Sequence, residues 1–196
     1  MNLNVEIVLG SGSPRRKELI GMLGLPFRVE PAGVEEDFEL GMHGREVAQM
    51  LAERKANAFA EPNLHEVIVT CDTLVWMDDQ VINKPADEMD ALNMLKQLNG
   101  RTHEVFSGVA LRGAGWQEVF TERTAVHFRP LPESWLEHYI HQYKPLDKAG
   151  AYGIQDWIGL VGVSGIEGCF YNVMGLPVSR LYSTLYEALR KHHKTL

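Results

Sequence analysis

A short apolar run, Ile7-Val8-Leu9, stops at Gly10-Ser11-Gly12-Ser13-Pro14 and turns at once into a helical pattern. An apolar triplet closed by glycine and serine reads as a buried strand. Ser13 is placed to cap the helix, and Pro14 fits its first position, where a missing N–H costs nothing. Leu19, Ile20 and Leu23 form the buried stripe, and Gly24 is the expected left-handed residue at its end. Strand and helix patterns alternate in this way along the chain, which makes the fold α/β with a mixed sheet flanked by helices.

Further strands are expected at Phe27-Arg28-Val29, Val67–Thr70, Leu74–Trp76 and Val81-Ile82, with Asp78-Asp79-Gln80 as a hairpin turn. Helices are expected from about Arg45 to Ala60 and from Asp87 to Leu98. Strands follow at His103–Leu111, Trp116–Thr121 and Ala125–Phe128, then a helix from Pro132 to about Gln142. A polar loop runs from Lys144 to Gln155. Late strands are read near Leu160–Val163 and Cys169–Val173, before a last helix from about Pro177. No repeat or linker divides the 196 residues, and 45% hydrophobic content suffices for one core, so one domain over 1–196 is expected.

Composition excludes several classes. A net charge of −7 argues against a whole-surface affinity for nucleic acid or anionic membrane, so any anionic ligand needs a local basic cluster. Cys71 and Cys169 have no metal spacing, and two free buried thiols are expected. Met1-Asn2-Leu3-Asn4-Val5-Glu6 has no basic region leading into an apolar stretch, and no run reaches membrane-spanning length. The expected location is the cytoplasm. His138 and His141 share a helix face without a third ligand, and His192-His193 reads as a polar tail.

Four features can carry chemistry. Ser11 to Arg16 places glycines, hydroxyls and two guanidinium groups at a helix N-terminus, which suits phosphate; the alternative is a capped surface helix with solvated arginines. Asp72-Thr73 stands at the end of an apolar run, where ligands of open α/β sheets collect. Gly33-Val34-Glu35-Glu36-Asp37 is an acidic cluster, and Asp72 with Glu35 could share one Mg²⁺ ion; an acidic loop is otherwise simply solvated. Lys55, Lys84 and Lys148 are isolated cations, each alone an ordinary surface residue. Together they suggest phosphate with a divalent metal.

Ser11-Gly12-Ser13-Pro14-Arg15-Arg16-Lys17-Glu18-Leu19, Glu53-Arg54-Lys55-Ala56, Cys71-Asp72-Thr73, Asn83-Lys84-Pro85 and Leu146–Gln155 closely resemble the Maf family, as does Asn172–Pro177. That family comprises nucleoside triphosphate pyrophosphatases also described as septum-formation inhibitors. The resemblance implies an elongated mixed sheet like that of the inosine triphosphatases, with a cleft between two lobes. It implies release of pyrophosphate from a nucleoside triphosphate, with Mg²⁺ or Mn²⁺ as cofactor. By the same resemblance Asp72 is the proton acceptor and a metal ligand with Glu35, and Ser11, Arg16, Lys55 and Lys84 bind phosphate. Arg15, Thr73 and Gln155 occupy the positions associated with base specificity, in the form that resembles the subfamily acting on dTTP and UTP. One glutamine amide can read both the O4 acceptor and the N3 donor of such a pyrimidine. A homodimer is implied as well.

Gly10 stands where many relatives carry Ala, a small-for-small exchange at the strand end expected to leave the chemistry unaffected. Asp156–Gly162 is expected either to cover the base or to pack at a dimer interface. A second functional class stays open at this point: a nucleotide-binding regulator of septum formation that acts through a partner without turnover.

Overall fold

In a computed structural model the described residues are 5–192; the Met1–Asn4 stretch and His193 lie outside them. β1 (Glu6–Leu9) leads into α1 (Pro14–Met22), and β2 (Phe27–Val29) returns parallel to β1. A connection over residues 30–43 reaches α2 (Gly44–Asn57), followed by β3 (Glu66–Met77), again parallel to β1. Next come β4 (Gln80–Ile82), α3 (Glu88–Leu98), β5 (Thr102–Gly113), β6 (Trp116–Phe128) and α4 (Glu133–Tyr143). Two 3-10 turns, Pro145–Asp147 and Ala149–Ala151, precede α5 (Trp157–Gly162), β7 (Val163–Glu167), α6 (Phe170–Met174) and α7 (Val178–His192). The sheet order is β2-β1-β3-β5-β6-β7, with β4 beside the far half of β3, and every pairing beyond the β2-β1-β3 group is antiparallel.

The α1 entry forms as its residues require. Ser13 is extended, its hydroxyl accepts from the Arg16 N–H, Pro14 occupies the first turn, and Gly24 takes φ +69°. Asp78 and Asp79 both take positive φ, 52° and 57°, in the two-residue turn joining β3 to β4. That is the twist a tight hairpin needs.

One departure from expectation matters for the site. Val67–Thr70 and Leu74–Trp76 are halves of a single strand, and Asp72 sits at its middle, not its end. Only residues 66–69 of β3 pair with β1, so Asp72 lies just beyond the carboxyl end of the parallel part. The polar pair looks like a terminus in sequence because it interrupts the apolar run. In the sheet it bridges two cores.

Successive β3 side chains alternate between faces. On one face Val67, Val69 and Cys71 join a cluster with Leu19, Ile20, Leu181 and Leu185. Val75 and Met77 on that face join a second cluster with Leu95, Leu136 and Tyr139. Between the clusters the face carries Thr73, paired in register with Ser107 of β5. The opposite face is covered by α2, where Val47, Ala48 and Leu51 pack on Leu74, Trp76 and Phe106. A Cβ on Gly108 would stand 2.0 Å from the Ala48 carbonyl oxygen, so this helix rests directly on the strand backbone.

Two late elements differ from the sequence expectation. Trp157–Gly162 and Phe170–Met174 are short helices, and the strand lies between them at Val163–Glu167. Aromatic and branched residues favour strands, but in so short a segment periodicity cannot decide and tertiary packing does. Gly175, at φ +119°, ends α6. Both cysteines are free, Cys71 buried and Cys169 only half-buried. His138 packs edge-on against Trp157, and His192 stacks on Trp116.

Candidate active site

A cleft of about 650 Å³ opens between the two apolar clusters, over the middle of β3. It is lined by Ser11, Arg15, Arg16, Lys55, Asp72, Thr73, Lys84 and Gln155. Eight of the nine residues singled out by sequence therefore converge here, although they come from five parts of the chain.

Strand alternation splits the central pair. Asp72 faces α2, and its Oδ1 is 2.5 Å from Lys55 Nζ. Lys55 is 6% exposed and Asp72 8%, so each charge needs the other to be tolerated. Thr73 faces the opposite way, and its hydroxyl accepts from Arg16 Nη2 at 3.1 Å. Arg16 is further held by Nε donating to the Gly175 carbonyl (2.9 Å) and Nη1 donating to Ser11 Oγ (3.2 Å). Behind Thr73, Ser107 Oγ lies at 2.8 Å and itself approaches the Asn172 carbonyl. The guanidinium is thus fixed at three of its nitrogens before any ligand arrives.

Ser11 Oγ accepts from Arg16 and from the Ser13 N–H (3.3 Å), which leaves its own O–H to donate into the cleft. Lys84 is exposed on the loop after β4. These groups give one end of the cleft the cations and donors that a phosphate chain requires.

The ninth residue, Glu35, does not line the cleft. Arg54 Nη1 holds its backbone carbonyl at 2.9 Å, and it is the next residue, Glu36, whose carboxylate reaches Lys55 Nζ at 2.7 Å. Burial works to raise the Glu36 pKa, but the hydrogen bond from Lys55 and the charges of Lys55, Lys84 and Arg16 outweigh it. The carboxyl therefore sits below the ordinary glutamate value. Sequence alone offered no signal to separate adjacent glutamates. The discriminating fact is the way the 30–43 connection is tethered.

The far end of the cleft is built by the segment from Pro145 to Gln155. Arg15 Nη1 pairs with Asp147 at 2.7 Å, and Lys148 pairs with the same carboxylate at 2.8 Å. Burial opposes ionisation of Asp147, yet these two cations hold its pKa down at about 2. Tyr152 is buried and bonded to His103 (2.7 Å), which anchors the segment to the second core. Tyr139 donates to Asp156 and receives the Gly153 N–H. Gln155 is exposed beside this frame and lines the cleft. None of residues 156–162 lines the cleft: Trp157 packs on Trp135 and His138, while Leu160 is 80% exposed.

At Gly10 an added Cβ would meet Thr70 Cγ2 at 2.6 Å and Phe59 at 3.1 Å, so alanine there would force the packing to shift.

A dTTP/UTP pyrophosphatase of Phocaeicola vulgatus is 46% identical over 183 residues, covering 92% of this chain and 94% of that protein. Proteins of the same description from Bacteroides thetaiotaomicron and Koribacter versatilis are 42% and 43% identical, covering 92% and 95% of this chain and 94% and 96% of theirs. Among solved structures, a HAM1 protein from Coxiella burnetii superposes with a TM-score of 0.43 at 17% identity, over 65% of this chain and 75% of that one. That likeness is too slight to carry an argument. The family described as Maf-like protein matches residues 6–188, nearly all of the described chain, and the chain belongs to that family.

Proposed function

We propose that this protein hydrolyses dTTP and UTP to the monophosphate and pyrophosphate with the help of a divalent metal. The observation that carries this reading is the buried Lys55–Asp72 pair at the floor of a cleft. One end of that cleft concentrates Arg16, Lys84 and the Ser11 hydroxyl, and the other holds Gln155. The relatives' description as dTTP/UTP pyrophosphatases supports the same assignment.

In this reading Arg16, Lys84 and Ser11 bind the phosphate chain and neutralise charge that builds as pyrophosphate leaves. Asp72 orients the attacking water and accepts its proton, while Lys55 holds the carboxylate in place. Gln155 reads the pyrimidine edge with one donor and one acceptor. Arg15, tied to Asp147, braces that end of the cleft.

The donor set suits Mg²⁺ or Mn²⁺. Asp72 and Glu36 already share one cation, the Lys55 ammonium, through hard oxygen atoms. Mg²⁺ ordinarily takes one or two carboxylates and completes its shell with water and substrate phosphate. Asp72 and Glu36, in place of Glu35, would hold it, and the ion would supply Lewis-acid stabilisation of the phosphate oxygens.

The test is pyrophosphate release from the common nucleoside triphosphates, with metal and with chelator. Metal-dependent release confined mainly to dTTP and UTP, with CTP a poor substrate, is expected. Cytosine carries an amine where the glutamine meets an acceptor, and hydrogen-bonding sites discriminate strongly against such mismatches. Comparable turnover of CTP and UTP would remove Gln155 from the base-reading role. Orthophosphate as the product would replace the reaction altogether.

A further inference from the structure

The 30–43 connection carries Glu36 into the cleft but has little structure of its own. Among the described residues, the backbone N–H groups of residues 32–38 make no bond to other backbone. Connections this long without regular structure are uncommon in compact domains and are usually functional. Its tethers are side chains: Lys55 to Glu36, Phe38 against the cluster of Val47, Leu51 and Trp76, and Arg54.

Arg54 has no role in the reading above, although it lies between Glu53 and Lys55 in a segment singled out by sequence. Its Nη1 donates to the carbonyls of Glu35 and Asp37, each at 2.9 Å, and pairs with the Asp37 carboxylate. It thus grips the residues on both sides of Glu36. Neighbours on a helix project about 100° apart, so Arg54 and Lys55 meet the connection from different directions. The first holds its backbone and the second receives its carboxylate.

We propose that Arg54 is a positioning residue whose clamp on Glu35 and Asp37 presents the Glu36 carboxylate to the metal-bound triphosphate. The clamp rests on the proposed role of Glu36. It acts through loop order, since Arg54 itself does not line the cleft.

The test compares Arg54→Gln, Arg54→Lys, Glu36→Gln and the double variant Arg54→Gln/Glu36→Gln. Equilibrium Mn²⁺ binding is measured in the presence of non-hydrolysable α,β-imido-UTP, together with the rate of limited proteolysis within residues 30–43. Arg54→Gln is expected to weaken Mn²⁺ binding about tenfold and to speed cleavage of the connection several-fold, with Arg54→Lys intermediate. The double variant should bind Mn²⁺ no more weakly than Glu36→Gln alone, because the clamp acts only through that carboxylate. If Glu36→Gln weakens Mn²⁺ binding and Arg54→Gln does not, the clamp is overturned while the role of Glu36 stands. If Glu36→Gln itself leaves binding unchanged, the role of Glu36 fails and the clamp with it. Fully additive losses in the double variant also overturn the proposal.

Discussion

Two segments bring charge to the same cleft and are held in opposite ways. The turn from Ser11 to Arg16 is locked from every side: Ser13 caps α1, and Arg16 is fixed by Gly175, Ser11 and Thr73. The middle of the 30–43 connection is tethered through the side chains of Arg54 and Lys55 and carries a half-exposed carboxylate. The difference matches what each meets under the proposed function. Phosphate oxygens arrive with every substrate at one fixed place, and donors set in advance bind them without reorganising. A metal ion would enter with the substrate and complete its shell from it, so one of its ligands can stand on a connection held by side-chain tethers.

The largest predicted effect falls where the two segments converge. Asp72→Asn keeps the shape of the floor but removes the proton acceptor. Pyrophosphate release should drop at least about a thousandfold, about 4 kcal/mol of barrier, while nucleotide binding measured by calorimetry largely survives. Loss of binding in step with turnover would mean that the carboxylate serves the cleft structurally.

Acid should loosen the far end of the cleft. Burial, helped by the nearby His127, holds the His103 pKa at about 4 against an ordinary 6.5. Above pH 6.5 the imidazole is neutral whether the chain is folded or not. As pH falls from 6.5 toward 4 only the unfolded chain takes up the proton, and stability falls by up to about 3 kcal/mol. Denaturant midpoints across that range should show the decline, and His103→Gln should flatten it.

At the rigid segment, Arg16→Lys retains the charge but cannot reproduce the three-way fork. A loss of about thirtyfold in kcat/KM, about 2 kcal/mol, is expected. A much smaller loss would show that charge alone suffices there, and the contrast with the loop would weaken.

The most direct comparison of packing is between two glycines. Gly10→Ala pushes a methyl group into Thr70 and should cost about 1–3 kcal/mol of stability. Gly33→Ala in the loop meets nothing within 4 Å and should stay within about 0.5 kcal/mol. Equal costs in thermal or urea unfolding would mean that the loop is packed as tightly as the turn.

Much of the fold was legible because local chemistry decides it over a few residues. The Ser13-Pro14 helix start, the Gly24 stop, the Asp78-Asp79 turn and the Asp87 cap each depend on neighbours close along the chain. Ser11, Arg16, Lys55, Asp72 and Lys84 were legible as a set because they combine with motifs spread along the chain, not because any of them stands out alone. The helices at Trp157–Gly162 and Phe170–Met174 were not, since their composition favours strands and their packing partners lie far away in sequence.

By itself the sequence determined the alternation of strands and helices, the capped phosphate-type turn and the residue types of the cleft. Hydrophobic period, capping and turn propensity are local and act before any tertiary contact exists. Tertiary structure alone decided that β3 runs on through Asp72 and that Asp72 and Thr73 face opposite sides of the sheet, toward Lys55 and Arg16. It also decided that Glu36 and not Glu35 turns inward. Those outcomes depend on strand register and on the crossing of α2, which bring together groups dozens of residues apart. No pattern within one segment encodes where a distant side chain will stand.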